Sequence, residues 1–294
     1  MMARHPALDC PGEFDYLFDA FPPDCGIEEV NGMSASRFDD MLAEHQGFMM
    51  RHTGTMEIGP TMVDRLCRHV AALRPEGKTL ALCLHRDFVT AREVFPSARF
   101  LHLLRDPRDC ARSAMAMGWA GNVYHGLGPW LRAEESWDRV QPQLRPDQYL
   151  EVRYEELVAE PQQVLTRICQ FLGLPFAPQM LDLSGTTYET PSVRFANQWR
   201  RSMSLADETL IVARVGELMR RRGYEPRPGV GGAPGYLVRC YLCVQDRWMR
   251  HRFRQRRYGA RLYLRELLTR KLGWMSAHRA IAHDILEVDK RYMK

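Results

Sequence analysis

The sequence predicts an α/β protein, a parallel sheet covered by helices on both faces, followed by a basic helical extension. Three observations carry that expectation. Short apolar runs of strand length alternate with segments whose apolar residues recur every three to four positions, as in parallel strands joined by crossover helices. The run Phe100-Leu101-His102-Leu103-Leu104 is closed by Pro107, with a helical pattern directly behind it. Charge is also unevenly divided. Tyr236 to Lys294 holds 15 Lys+Arg against 5 Asp+Glu, a charge of +10, so that with the whole chain at +5 residues 1–235 carry −5. Gly229-Val230-Gly231-Gly232-Ala233-Pro234-Gly235 lies between the two parts and reads as a linker. The expected organisation is a domain over 1–228, a linker over 229–235 and an extension over 236–294.

His5 to Glu13 reads as a turn rich in Pro and Gly, and Phe14 to Phe21 as a short helix. Met41 to Met50 and Thr61 to Leu73 read as helices, the second from the spacing of Val63, Leu66, Cys67 and Val70. Thr79 to Leu84 is a buried strand, Phe88 to Phe95 a crossover helix and Phe100 to Leu104 the next strand. Leu101, Leu103 and Leu104 supply the apolar run of a covered strand. Trp130 to Val140 is a helix, Tyr149 to Val152 a strand, and Val164 to Leu172 and Asp207 to Arg222 are helices. In the extension, Leu237, Tyr241, Val244 and Trp248 keep helical spacing, as do Leu264, Leu267 and Leu268.

No run of about eighteen apolar residues predicts a membrane span, and Met1 to Pro6 has no apolar signal core, so a cytoplasmic location is expected. The eight cysteines are scattered except for Cys240 and Cys243. No second Cys or His pair follows at finger distance and His251 is isolated, so no metal site is expected. Cys83 and Cys169 sit in apolar context and read as core thiols, and no disulfide framework is implied.

The chemistry concentrates after the Phe100–Leu104 strand, in Arg105-Asp106-Pro107-Arg108-Asp109-Cys110-Ala111-Arg112-Ser113. The carboxyl end of a strand followed by a helix start is where open α/β folds bind anions. Asp106 is placed to cap the helix, Arg105 offers a planar fork suited to phosphate, and Ser113 adds a hydroxyl two turns on. The alternative is a surface turn with solvated arginines. Arg108 and Arg112 read as helix-surface charges.

Arg-Asp-Pro-Arg-Asp-x-x-x-Ser after an apolar strand resembles the 3′-phosphate-binding segment of sulfotransferases that use 3′-phosphoadenylyl sulfate (PAPS). Tyr149-Leu150-Glu151-Val152-Arg153-Tyr154-Glu155-Glu156-Leu157, then Pro161 and Ile168 to Gly173, resembles the family's second strand-to-helix segment. Phe95-Pro96-Ser97-Ala98-Arg99-Phe100 resembles the entry to its strand, and Gln198-Trp199-Arg200-Arg201 with Gly223-Tyr224 its closing part. The resemblance spans about residues 1–227, nearest in pattern to bacterial and tyrosylprotein-type members. It implies the P-loop NTPase-like sulfotransferase fold, PAPS as donor, Arg105 and Ser113 on the 3′-phosphate and Tyr154 against the adenine.

The family pattern opens with a strand and a Pro-x-Ser-Gly-Thr-Thr loop that cradles the 5′-phosphosulfate, and this first strand and loop are missing here. Gly77-Lys78-Thr79 mimics the end of a nucleotide loop by chance, since Ala72 stands where the upstream glycine belongs. Met2 to Leu8 resembles the end of the helix after that loop, so the expectation is a start codon placed too late. A protein that has lost its donor loop is the alternative.

Sulfuryl transfer needs a base for the acceptor's proton and cations for the charge developing on the leaving oxygen. The resemblance puts Glu13 at the base position, with a helix-capping carboxylate as the competing reading. Lys78 and the pair His85 and Arg86 compete for the cationic role. Met115 to Gly126 reads either as an acceptor-lining loop or as a glycine-rich connection.

The function expected is therefore transfer of a sulfuryl group from PAPS to a hydroxyl or amine acceptor. The alternative is a non-catalytic sulfotransferase-like protein that holds a nucleotide or partner. A P-loop kinase is disfavoured, having neither a usable phosphate loop nor a metal-binding acidic strand. For 236–294 the expectation is helices packed on the domain or on a second subunit, with peripheral membrane contact the other reading and nucleic acid a lesser one.

Overall fold

The computed structural model describes residues 1–44, 58–185, 191–272 and 274–292. The chain divides into two compact units: Met1–Leu104 with Arg132–Ala196, and Arg105–Leu131 with Asn197–Lys294.

In the first unit β1 (Leu8–Glu13) pairs in parallel with β2 (Thr79–Cys83), and β3 (Phe100–Leu104) in parallel with β4 (Tyr149–Arg153). The strands are thus arranged as two parallel pairs among the described residues. Segment 8–13, expected as a turn, is a strand. The register of β1 runs Leu8↔Thr79 and Asp9↔Leu80, shifts, and resumes at Gly12↔Leu82 and Glu13↔Cys83. The irregularity falls on Cys10 and Pro11, with Gly12 at φ 104°. A bulge is where a sheet tolerates a proline without a ladder donor, so the residues that suggest a turn instead mark an interrupted strand.

Phe14–Phe21 is likewise not an α-helix. It holds one 3₁₀ turn, Asp15–Leu17, and spends its aromatics on the core. Phe14, Tyr16, Leu17, Phe18 and Phe21 pack with Phe38, Leu66 and Val94, which come from α2 (Ala35–Glu44), α3 (Met62–Ala72) and α4 (Phe88–Val94); α1 (Ile27–Asn31) precedes them. The helix expected over Met41–Met50 is confirmed only to Glu44 and starts earlier; residues 45–50 lie outside the described residues.

β3 departs from a wholly apolar strand. Its buried positions are His102 and Leu104, while Leu103 is 52% exposed. Strand alternation sets His102 and Leu104 on one face. There His102 Nε2 lies 3.2 Å from Glu134 Oε1, Nδ1 lies 3.3 Å from Glu151 Oε2, and the ring stacks on Trp137 at 4.3 Å. Burial alone would lower the imidazole pKa, but the two carboxylates outweigh it and the net shift is upward. A second core gathers Val152, Ile168, Cys169 and Met180 against α9 (Pro161–Leu172), behind the short α8 (Tyr154–Ala159). Cys169 is buried as expected; Cys83, at the end of β2, is exposed instead.

The second unit is helical: α5 (Pro107–Ala116), α6 (Val123–Gly126), α10 (Trp199–Ser202), α11 (Leu205–Arg221) and, in the basic extension, α12 (Tyr236–Tyr258), α13 (Ala260–Leu272) and α14 (Met275–Tyr292). Helix α7 (Gly128–Val140) runs across the boundary along the chain. The extension is helical as predicted, but α12 is turned over relative to its apolar spacing. Its buried positions are Leu242 and Asp246, and Leu237, Tyr241, Val244 and Trp248 remain exposed. Polar anchoring decides this: Gly121 N donates to Asp246 Oδ1 at 2.7 Å, and Asn122 Nδ2 to the Leu242 carbonyl at 2.8 Å. No described helix is long and apolar enough to cross a membrane.

Candidate active site

The turn between β3 and α5 is built from within. Asp106 caps α5, accepting from Arg108 N at 2.9 Å, and Pro107 occupies the first turn, where no donor is needed. The Asp106 carboxylate also takes the Arg108 guanidinium through both oxygens, from Nε at 2.9 Å and Nη2 at 2.8 Å. Arg108 Nη1 donates to Glu208 Oε1 at 2.8 Å and to the Glu225 carbonyl at 2.9 Å. Its guanidinium stacks on Trp199, 3.4 Å from the ring centroid. Asp109 accepts from the backbone N–H groups of Gln198 and Trp199 at 3.1 and 2.8 Å. Trp130 Nε1 donates to the Arg105 carbonyl at 3.0 Å.

Arg108 is therefore a buried strut, 2% exposed, which corrects its expected place on the helix surface. A buried guanidinium is tolerable only with such a full set of acceptors. Sequence reasoning missed it because Glu208 lies a hundred residues away, and nothing local distinguishes Arg108 from Arg112.

Arg105 follows the last residue of β3 and is half-buried; Ser113 is exposed on α5. The final rung of β3 and β4 pairs Leu104 with Arg153. Arg105 is the next residue of one strand. Tyr154, half-buried, is the next residue of the other and opens α8.

In the first unit Glu13 is the last residue of β1, opposite Cys83, and exposed. It caps no helix, which removes that alternative. His85 and Arg86 follow two and three residues after Cys83, at the same strand end. His85 meets Asp15 twice at 2.7 Å, backbone N to Oδ1 and ring Nδ1 to Oδ2. The Asp15 hydrogen bond pushes the imidazole pKa up to about 10. Because the His85 side chain is 50% exposed, salt screens this pair. Arg86 pairs with Asp19. Lys78 precedes Thr79 at the opposite end of β2, about 13 Å along the strand by its rise. The structure thus groups Glu13 with His85 and Arg86 and sets Lys78 apart.

The Met115–Gly126 connection is clamped on one side by α12. A Cβ on Gly121 would lie 2.6 Å from the Asp246 carbonyl oxygen, and one on Gly118, at φ 75°, 2.2 Å from the Phe253 ring. Met117 and Trp119 stay exposed.

The sequence model of the sulfotransferase family matches residues 1–178. The chain belongs to the sulfotransferase family. It is similar to the omega-hydroxy-beta-dihydromenaquinone-9 sulfotransferase Stf3 of Mycobacterium tuberculosis, 29% identical over 167 residues, 48% of this chain and 41% of that protein. It is also 30% identical over 124 residues to a putative protein-tyrosine sulfotransferase of Caenorhabditis elegans, covering 39% of this chain and 48% of that one. The chain thus spans less than half the length of either relative. The sulfotransferase domain from the curacin biosynthetic pathway superposes with a TM-score of 0.50 over 76% of this chain and 91% of that chain, at 17% identity. That likeness establishes the fold: α/β with parallel strands, as the sequence predicts. The family match includes Arg105, Ser113 and Tyr154, and ends before the Trp199 shelf and the basic extension.

Proposed function

We propose that this protein transfers a sulfuryl group from PAPS to a hydroxyl or amine acceptor. The observation that carries the reading is the braced β3–α5 turn. Arg108 engages both oxygens of Asp106 and α5 is capped from inside the turn. That fixes the backbone from which Arg105 and Ser113 project, so little ordering cost falls on anion binding. A half-buried guanidinium and a serine hydroxyl suit a phosphate dianion. In this reading Arg105 and Ser113 bind the 3′-phosphate and Tyr154 lies along the adenine.

PAPS supplies an activated sulfuryl group on a phosphate leaving group. At the acceptor, Glu13 takes the proton as the new O–S or N–S bond forms and the bond to the donor phosphate breaks. His85 and Arg86, at the same strand end, offset the negative charge passing to the leaving oxygen. The hydroxyl named in the mycobacterial relative's acceptor supports a hydroxyl substrate. A cytoplasmic setting is part of this proposal.

Calorimetric titration with adenosine 3′,5′-bisphosphate tests the reading. Arg105→Ala is expected to weaken binding about tenfold to a hundredfold, the loss of a charge-assisted hydrogen bond. Ser113→Ala should weaken it less. Unchanged affinity in Arg105→Ala would overturn the assignment. Labelled PAPS offered with hydroxyl and amine acceptors then reads the transfer itself.

A further inference from the structure

The helix Tyr236–Tyr258 buries one side through polar anchors and leaves its apolar stripe exposed. Leu242 and Asp246 lie inward on the Gly121–Asn122 loop. On the other side Leu237, Tyr241, Val244 and Trp248 form a stripe 80%, 63%, 67% and 57% exposed. The next helix repeats the pattern, with Leu264, Leu268 and Leu272 exposed at four-residue spacing. Arg247, Arg252 and Arg256 are exposed on the first helix, Arg261 and Arg265 on the second, and Arg252 lies 5.3 Å from the Trp248 ring centroid. Beside the stripe, Arg247, Arg250, His251, Arg254 and Arg270 line a cleft of about 200 Å³. No carboxylate lines it. Of the cleft's cations, Arg250 pairs with Asp246 at 2.9 Å and Arg270 with Glu266 at 3.3 Å.

We propose that this extension docks the protein on an anionic phospholipid bilayer. The arginine cleft receives lipid phosphates, and the Leu237–Trp248 stripe enters the boundary of the acyl chains. Aliphatic and aromatic residues on one face with arginines beside them are the composition of a helix lying in the interface plane, and Trp and Tyr prefer that depth. Charge complementarity selects the occupant. A second copy docked through the same stripe would bring the flanking arginines face to face. A nucleic-acid backbone would answer the arginines and leave the stripe in water. An anionic bilayer satisfies both. This inference does not rest on sulfuryl transfer.

The test uses the whole protein with vesicles of phosphatidylglycerol and phosphatidylcholine, against phosphatidylcholine alone. Flotation should show binding at least about tenfold tighter to the anionic vesicles, since each arginine near such a surface contributes about fivefold. Brominated acyl chains should quench tryptophan fluorescence, and Trp248→Phe should remove most of that quenching. Val244→Glu, at an exposed position, should abolish quenching without unfolding the protein, and Arg254→Glu should weaken flotation about fivefold or more. Equal binding to neutral vesicles, or quenching indifferent to Val244→Glu, overturns the proposal. So does sedimentation showing a dimer that Val244→Glu dissolves with no vesicle binding, or tighter binding to double-stranded DNA than to anionic vesicles.

Discussion

Arg108 lies on Trp199 with its guanidinium carbon 3.4 Å from the ring centroid, while its nitrogens hold Asp106 and Glu208. This places one cation between a strand-end turn and a helix that begins almost a hundred residues later. Removing it takes the guanidinium from two buried carboxylates, leaving Glu208 to Arg227 and Asp106 to the backbone N–H of residue 108. Arg108→Leu should therefore destabilise the protein by about 3–5 kcal/mol, the cost of breaking a buried ion pair from one side. Urea unfolding measures it. Arg108→Leu combined with Glu208→Leu should cost clearly less than the two single changes added, because each single change already loses the shared Arg108–Glu208 contact. Full additivity would show that the pair is not coupled.

The elements that were legible in the sequence are those with local causes. Asp106 followed by Pro107 announces a capped helix start, and the structure has that cap. The spacing of Val63, Leu66, Cys67 and Val70 announces a helix, found as Met62–Ala72. What sequence alone could not read depends on distant partners. Arg108 resembles Arg112 until Glu208 and Trp199 are brought to it. Pro11 and Gly12 signal a turn until β2 lies alongside and makes them a bulge. The apolar period of α12 marks a real face, but Asn122 and Gly121 determine which face is buried.

At the end of β1, Glu13 shares an edge with His85 and Arg86. Glu13→Gln should abolish transfer from PAPS while leaving the affinity for adenosine 3′,5′-bisphosphate unchanged. A base acts on the acceptor proton and has no part in holding the nucleotide. Stability should also be unaffected, since the side chain is exposed. Normal turnover in Glu13→Gln would remove it as base, and a parallel loss of nucleotide affinity would make it a binding residue instead.

His102 gives the first unit a stability that depends on pH. Its pKa is raised, with burial opposing and the hydrogen bonds it donates to Glu134 and Glu151 prevailing. A raised folded-state pKa stabilises fully below the unfolded value, near 6.5, and the contribution fades as pH rises through the folded value. The stability difference between the parent protein and His102→Gln should thus be largest below about pH 6.5 and shrink as pH rises above it. Urea midpoints across that range measure it. A difference that grows with pH would mean the imidazole is held neutral.

Gly121 is the point where α12 meets the connection after α5. A Cβ there would lie 2.6 Å from the Asp246 carbonyl oxygen and 2.7 Å from both the Asp246 Cα and the Met249 Cβ. Backbone surrounds it on that side, so no side-chain rotation can make room. Gly121→Ala should push α12 outward and break the 2.7 Å hydrogen bond from Gly121 N to Asp246, at about 1–3 kcal/mol for overpacking a buried contact. Residues 229–235 are already mostly exposed, and loosening the helix behind them would let that segment open further into a protease, so limited proteolysis should release the extension faster from Gly121→Ala than from the parent protein. Asn122→Ala removes the 2.8 Å bond to the Leu242 carbonyl and should act in the same direction without any clash. If both variants resist proteolysis as well as the parent, the anchoring of α12 must lie in its apolar contacts, with Leu242 foremost.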